Sequence, residues 1–137
     1  MPFLTRDSEI RELLRSSRTV AVVGLSDDPA RDSHRVAAYL AEAGYTVIPV
    51  NPRITSVLGA TSFPSLSAVR TPIDIIDVFR RPEHMPTVVD EAIAAGARAL
   101  WMQLGTVHQG AADRAARAGL AVVAERCIMV EHRRLVP

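Results

Sequence analysis

The sequence contains no lysine; all 16 of its basic residues are arginine. Without a lysine amine the chain cannot form a Schiff base, anchor pyridoxal phosphate or build a Walker A phosphate loop. A bound anion must therefore be met by arginine side chains, backbone N–H groups or helix N-termini.

Cysteine and aromatic residues are also scarce. The single cysteine, Cys127, cannot form an internal disulfide, and no Cys and His residues follow the spacing of a zinc site. Aromatic residues make up 4% of the chain and the formal net charge is +1, so a basic face for nucleic acid is not expected. No apolar run is long enough to span a membrane and no signal-peptide pattern opens the chain. We therefore expect a soluble, cytoplasmic protein with no metal, nucleic acid or membrane partner.

Short apolar segments alternate with amphipathic ones along the chain. Strands are predicted in five segments: "TVAVVGL", "YTVIPVNPR", "IDIIDVF", "RALWMQL" and "LAVVAE". Helices are predicted over residues 8–16, 33–43, 83–95 and 110–118, while "RCIMVEHRRLVP" stays undecided. This alternation is typical of βαβ units. It predicts a single Rossmann-like three-layer α/β/α domain over residues 1–137, with a five-stranded parallel sheet in the order 3-2-1-4-5.

Ligands of such sheets bind beyond the carboxyl ends of the strands, where the strand order reverses. Four predicted loops should meet there: residues 24–33, 51–53, 79–82 and 103–106. In the first, Gly24 permits a sharp turn and a close backbone approach, and Ser26 offers a hydroxyl. The helix N-terminus near Ser33, with Arg31 beside it, favours an anion. A plain strand-to-helix loop, with Ser33 as a cap, is the alternative interpretation.

The other loops are also suited to a phosphorylated nucleotide. An NAD site places an acidic residue after the second strand, whereas this chain has Arg53 there. On charge alone, NADP and coenzyme A are both compatible with that arginine. Phe79 could cover an adenine, with Arg80 pairing a phosphate, although an aromatic at a strand end is more often part of the core. Met102 lies in the fourth predicted strand, near enough to the crevice to touch a ligand.

Several segments together resemble the small bacterial CoA-binding proteins, which are similar to the CoA-binding domain of the succinyl-CoA synthetase α subunit. The segments are "VVGLSDDPARDSHRVAAYL", "GYTVIPVNPR", "IDVFRRPEHMPTVVDEAIAAGARALWMQLGT" and "AGLAVVAERCIMVEHRR", and they extend from about Arg18 to Leu135. The resemblance implies coenzyme A as the ligand. It implies a site built from Gly24, Leu25, Ser26, Arg31, Ser33, Asn51, Pro52, Arg53, Phe79, Arg80, Gln103, Leu104 and Gly105. The phosphohistidine loop and nucleotide-grasp domain of the synthetase have no counterpart here, so ligase activity is not implied.

Candidates for catalysis are few. Glu131 and His132 are sequence neighbours whose side chains point apart in most conformations, so an arginine partner for Glu131 and a structural role are favoured. Cys127 follows Arg126, which could lower a thiol pKa, but a buried, inert cysteine is the commoner case. The sequence thus favours non-catalytic binding of coenzyme A or acyl-CoA through phosphate and adenine contacts. An NADP-dependent or acyl-CoA-handling enzyme and a protein-interaction role stay open, as does a homodimer.

Overall fold

The predicted strands form a parallel sheet in the computed structural model, which describes residues 3–137. In chain order the strands are β1 (Thr19–Val23), β2 (Thr46–Val50), β3 (Ser56–Val57), β4 (Ala60–Thr61), β5 (Ile75–Val78), β6 (Ala99–Met102) and β7 (Ala121–Ala124). The short β3 and β4 form an antiparallel hairpin, and the other five strands form the sheet in the order β2-β1-β5-β6-β7. The hairpin lies in the segment between β2 and β5, and for its residues the sequence predicted neither a strand nor a helix.

Helices cover both faces of the sheet, which confirms the predicted three-layer α/β/α class. The α-helices are α1 (Asp7–Ser16), α2 (Asp32–Glu42), α3 (Met85–Ala95), α4 (Gln109–Arg117) and α5 (Ile128–Leu135). Apolar residues of α1, α2 and α5 pack on one face of the sheet, and those of α3 and α4 pack on the other. The undecided C-terminal segment is therefore a helix of the first layer. No helix within residues 3–137 is both long and apolar enough to cross a bilayer.

The predicted strand order 3-2-1-4-5 is wrong as numbered, because the third predicted strand, β5, pairs with β1 and not with β2. The place outside β2 is taken by Phe63, which forms a parallel bridge with Val50. The Phe63 N–H donates to the Pro49 carbonyl at 3.0 Å, and its carbonyl accepts from the Asn51 N–H at 2.8 Å. A segment outside the five predicted strands thus fills the position of the third strand with one residue. If that bridge is counted as a strand, β5 becomes the fourth and the Rossmann order is restored.

Alternation along the strands divides the core between the two faces. On β5, Ile76 and Val78 face α3 and α4, whereas Ile75 belongs to the opposite cluster. Asp77 shares the face of Ile75 and is fully buried, and neither of its carboxylate oxygens has a hydrogen-bond partner in the described residues. Phe79 follows on that same face, just beyond the end of the strand, and is half-buried.

Candidate ligand-binding site

Three adjoining cavities run along the carboxyl edge of the sheet, and we call them together the strand-end groove. Their volumes are about 360, 520 and 290 Å³, from the β2 side to the β6 side. Phe79 lines all three cavities, Gly24 lines the first and second, and Asp32 lines the second and third. The loops after β1, β2, β5 and β6 therefore meet at one edge, as the strand-end rule requires.

The first cavity lies between the ends of β1, β2 and β5. Its lining contains these predicted residues: Gly24, Asn51, Pro52, Arg53, Phe79 and Arg80. It also contains Arg81 of the predicted loop 79–82. Its other lining residues were not predicted from sequence: Val23, Val50, Pro64, Ser65, His84, Thr87, Val88 and Glu91. Two features bring them to this edge. One is the predicted helix over 83–95, which follows the third predicted strand almost at once and so carries His84, Val88 and Glu91 to the same edge. The other is available only from the structure, where the segment around Phe63 lies against β2.

Gly24 brings the ends of three strands together. Its φ is +88°, and a Cβ atom added there would lie 2.7 Å from the Phe79 carbonyl oxygen. The Gly24 N–H donates to the Val50 carbonyl at 2.9 Å, while the Phe79 N–H donates to Val23 at 2.8 Å. The backbone that closely approaches Gly24 in this structure is therefore that of the loop after β5, at Phe79. A side chain at this position would push that loop away from the edge.

Asn51 holds two of the loops in register. Its Nδ2 donates to the Leu25 carbonyl at 2.9 Å, and its Oδ1 accepts from the Arg53 N–H at 2.9 Å. Both ends of the amide side chain are thus bound to backbone. The residue orients Arg53 towards the groove by shaping the turn through Pro52.

The second cavity lies at the N-terminus of α2. Ser26, Arg31 and Ser33 line it, and the Ser33 Oγ accepts from the Ser26 N–H at 3.0 Å. Within residues 3–137 the N–H groups of Asp32 and Ser33 have no hydrogen-bond acceptor. Free amides at a helix N-terminus carry a partial positive charge, so this cavity favours an anion.

The groove has an excess of positive charge. Arg31, Arg53, Arg80 and Arg81 are exposed on the first two cavities, and none of them takes part in the ion pairs of the described chain. The carboxylates of the groove already have partners. Asp32 pairs with Arg35, and Glu91 accepts from the Leu66 N–H at 3.3 Å.

The third cavity is mostly apolar. It is lined by Asp32, Arg35, Val36, Phe79, Gln103, Leu104, Cys127, Met129 and Val130. Gln103 is only 4% exposed, and its Oε1 accepts from the Ile128 N–H at the start of α5 at 2.9 Å. Cys127 is half-buried in the wall, so its thiol adjoins the far end of the groove.

Three predicted site residues do not line the groove. The side chains of Leu25 and Met102 are fully buried in the core. The Gly105 N–H donates to the Glu125 carboxylate at 2.6 Å, and Glu125 itself has a positive φ of 60°. As ligand contacts these residues stay predictions that would depend on backbone atoms or on a rearranged loop.

The Glu131 and His132 pair lies away from the three cavities. Glu131 is hydrogen-bonded to Arg134 and Arg126, and the bond from Arg134 is the main reason that its pKa is lowered. The His132 Nδ1 lies 2.7 Å from the Tyr39 hydroxyl, and burial lowers the pKa of the imidazole. These contacts join α5 to α2 and to neighbouring side chains, which fits the structural role favoured from sequence.

Residues 18–133 match the model of the CoA binding domain family. The chain belongs to this family. Its relatives include the Bacillus subtilis (strain 168) protein YneT, which is 43% identical over 125 residues, or 91% of this chain and 93% of YneT. A protein of Pyrococcus horikoshii OT3 is 41% identical, with a TM-score of 0.95 over 97% of this chain and 94% of that one.

Larger proteins share the fold of this family. The structure of a dinucleotide-forming acetyl-coenzyme A synthetase of Ca. Korarchaeum cryptofilum aligns with a TM-score of 0.73 at 22% identity. The alignment covers 84% of this chain but 27% of the synthetase. At this identity the likeness shows the fold alone, and the small relatives above are the nearer comparison.

Proposed function

We propose that this protein binds coenzyme A or an acyl-CoA in the strand-end groove and does so as a binding protein without a reaction of its own. The observation that carries the proposal is the group of exposed, unpaired arginines on the groove: Arg31, Arg53, Arg80 and Arg81. Membership of the CoA binding domain family supports the same ligand. A ligand with several phosphates would supply the partners that these guanidinium groups lack.

The order of the cavities matches the order of groups in coenzyme A. We place the adenosine and its 3′-phosphate in the first cavity, with Phe79 against the adenine and Arg53 near the phosphate. The diphosphate then lies in the second cavity, against the free N–H groups of α2 and beside Arg31. The pantetheine arm continues into the apolar third cavity. In this arrangement each charged part of the ligand meets a cationic part of the groove.

The binding role is favoured over catalysis by the placement of the titratable groups. His132 is hydrogen-bonded to Tyr39 away from the cavities, and Glu131 is hydrogen-bonded to Arg126 and Arg134. His84 lines the first cavity, where we place the adenosine and not the reactive end of the ligand. Among the described residues, Cys127 is the one nucleophile at the reactive end, and neither a histidine nor an unpaired carboxylate lines the third cavity beside it to act as a base.

The role of Arg53 is tested by titration calorimetry with coenzyme A and dephospho-coenzyme A. A charge-assisted hydrogen bond to an exposed phosphate should make coenzyme A bind about tenfold more tightly than its dephospho form. Arg53→Gln should remove that difference and leave the affinity for dephospho-coenzyme A unchanged. Arg70→Gln is the matched control, since Arg70 is exposed and lies outside the three cavities. Equal binding of both ligands by the parent protein would contradict the placement, and absence of binding would contradict the function.

A further inference from the structure

The third cavity has the character of an acyl-group site. The geometry points to an acyl-CoA with a neutral aliphatic acyl group as the preferred ligand, an inference that rests on the proposed function. The thioester carbonyl of this ligand would accept a hydrogen bond from the Gln103 side chain. The free thiol form would then be the weaker ligand. The inference rests on three observations: a directed donor, a mostly apolar wall whose two charged residues pair with each other, and the position of the cavity along the groove.

Gln103 presents a hydrogen-bond donor that the described protein leaves without an acceptor. The Ile128 N–H can only donate, so the atom facing it at 2.9 Å must be the amide oxygen of Gln103. The Nε2 group is thereby fixed on the other side of the amide, and it has no acceptor within residues 3–137. In that part of the chain only the Asp77 oxygens are both fully enclosed and unpartnered, so the Nε2 of Gln103 reaches the surface of the cavity.

The wall around this donor suits an uncharged chain. Leu104 is 62% exposed and Val130 is 50% exposed, which makes them two of the few large apolar side chains open to solvent. Both line the third cavity. The two charged residues there, Asp32 and Arg35, pair with each other and leave no cation for an acyl carboxylate. An aliphatic acyl group would cover the exposed apolar surface, whereas a thiol hydrogen would leave it in water.

The position of the cavity fits the reactive end of the ligand. Strand β6 is two strands from β1 in the sheet, so Gln103 lies about 10 Å along the edge from the phosphate-favouring loop after β1. The second and third cavities share Asp32 and Phe79, so the path between them is continuous. A pantetheine arm that leaves the α2 N-terminus in this direction carries its sulfur towards Gln103, Cys127 and Val130.

The inference is tested by titration calorimetry with coenzyme A, butyryl-CoA and succinyl-CoA. Butyryl-CoA should bind at least about tenfold more tightly than coenzyme A, because each buried methylene contributes about fourfold and the chain has two methylenes besides its methyl group. Succinyl-CoA should gain much less, since its carboxylate finds no free cation in the cavity. If the parent protein binds coenzyme A and butyryl-CoA equally, the acyl site is wrong while the proposed function stands. If neither binds, both are wrong.

Two variants separate the donor from the wall. Gln103→Glu keeps an oxygen for the Ile128 N–H and places a negative charge at a helix N-terminus, so α5 should stay capped. It loses the donor, and the preference for butyryl-CoA should fall by about two- to tenfold. Val130→Ser should lower the same preference about threefold. The control Ile93→Ser, at another exposed apolar position, on α3, should not change it. If Gln103→Glu weakens the binding of coenzyme A and of butyryl-CoA by the same factor, Gln103 contacts the pantetheine arm and the proposed thioester contact is wrong.

Discussion

Asp77 is the residue whose surroundings fit its chemistry least. It lies in β5 between Val22 and Trp101 of the neighbouring strands, is fully buried, and its oxygens have no partner within the described residues. Burial raises the pKa of its carboxyl well above the ordinary value, because the charged form loses its hydration. The folded protein therefore keeps a proton on Asp77 at pH values where the unfolded chain has released it. This difference makes folding depend on pH.

The consequence is a loss of stability as the pH rises. Below the ordinary carboxyl pKa of about 4, Asp77 is protonated in both states and contributes no pH dependence. Between that value and the raised pKa, the free energy of unfolding should fall by up to about 1.4 kcal/mol per pH unit. Asp77→Asn should remove this slope and be more stable than the parent at pH 8, with little difference at pH 4. Urea unfolding across this range measures the effect, and parallel pH profiles for the two proteins would disprove it.

Gly24 shows what a single missing Cβ does for the groove. Alanine there would have to adopt a φ of +88° and would also meet the Phe79 carbonyl at 2.7 Å. Gly24→Ala should therefore destabilise the fold by about 2–4 kcal/mol and weaken coenzyme A binding, because the β5 loop must move. Gly119→Ala is the matched control: its φ is +98°, yet nothing lies within 4 Å of an added Cβ. It should show the backbone strain alone, about 1–2 kcal/mol, and equal losses in the two variants would refute the contact.

At the scale of elements, the sequence predicts what is periodic and misses what is not. Helix α2 was expected over 33–43 and is Asp32–Glu42, since its apolar spacing and Gly44 are local signals. The Phe63 bridge is one residue long, so it produces no alternation of apolar and polar residues in the sequence. For this reason the predicted strand order was numbered wrongly. Helix α5 was undecided because Glu131 and His132 are buried on its apolar side, where long-range partners accommodate them.

The candidate site shows the same division. The strand ends that meet at the edge, with Gly24, Arg53 and Phe79, follow from the general rule for parallel sheets. Hydrogen bonds between side chains and backbone groups far away in sequence were not predictable. Examples are the bond from Asn51 to the Leu25 carbonyl and the bond from the Ile128 N–H to Gln103. Such contacts depend on which loops fold together, and a residue type alone does not specify its partner. The sequence therefore predicts the location of the groove better than it predicts which atoms face a ligand.

At the scale of the whole molecule, a net charge of +1 conceals an uneven distribution along one edge. The unpaired arginines lie on the first two cavities, and the single cysteine lies at the other end of the groove. Under the proposed function, one ligand that spans the edge would bind through its phosphates at one end and cover Cys127 with its arm at the other. A fragment that carries only the phosphates would bind without reaching the thiol. The two ends of the groove thus give independent readouts of one binding event.

This arrangement predicts the alkylation behaviour of Cys127, the only thiol of the chain. Acetyl-CoA, which has no free thiol to consume the reagent, should slow modification by N-ethylmaleimide at least severalfold at saturation. Adenosine 3′,5′-bisphosphate should bind to the arginine-rich end and leave the rate unchanged, since it lacks the pantetheine arm. Intact-mass spectrometry over time measures both rates. Protection by the bisphosphate to the same extent would mean that the ligand reaches Cys127 by closing the groove and not by extending along it, and the proposed path of the arm would be wrong.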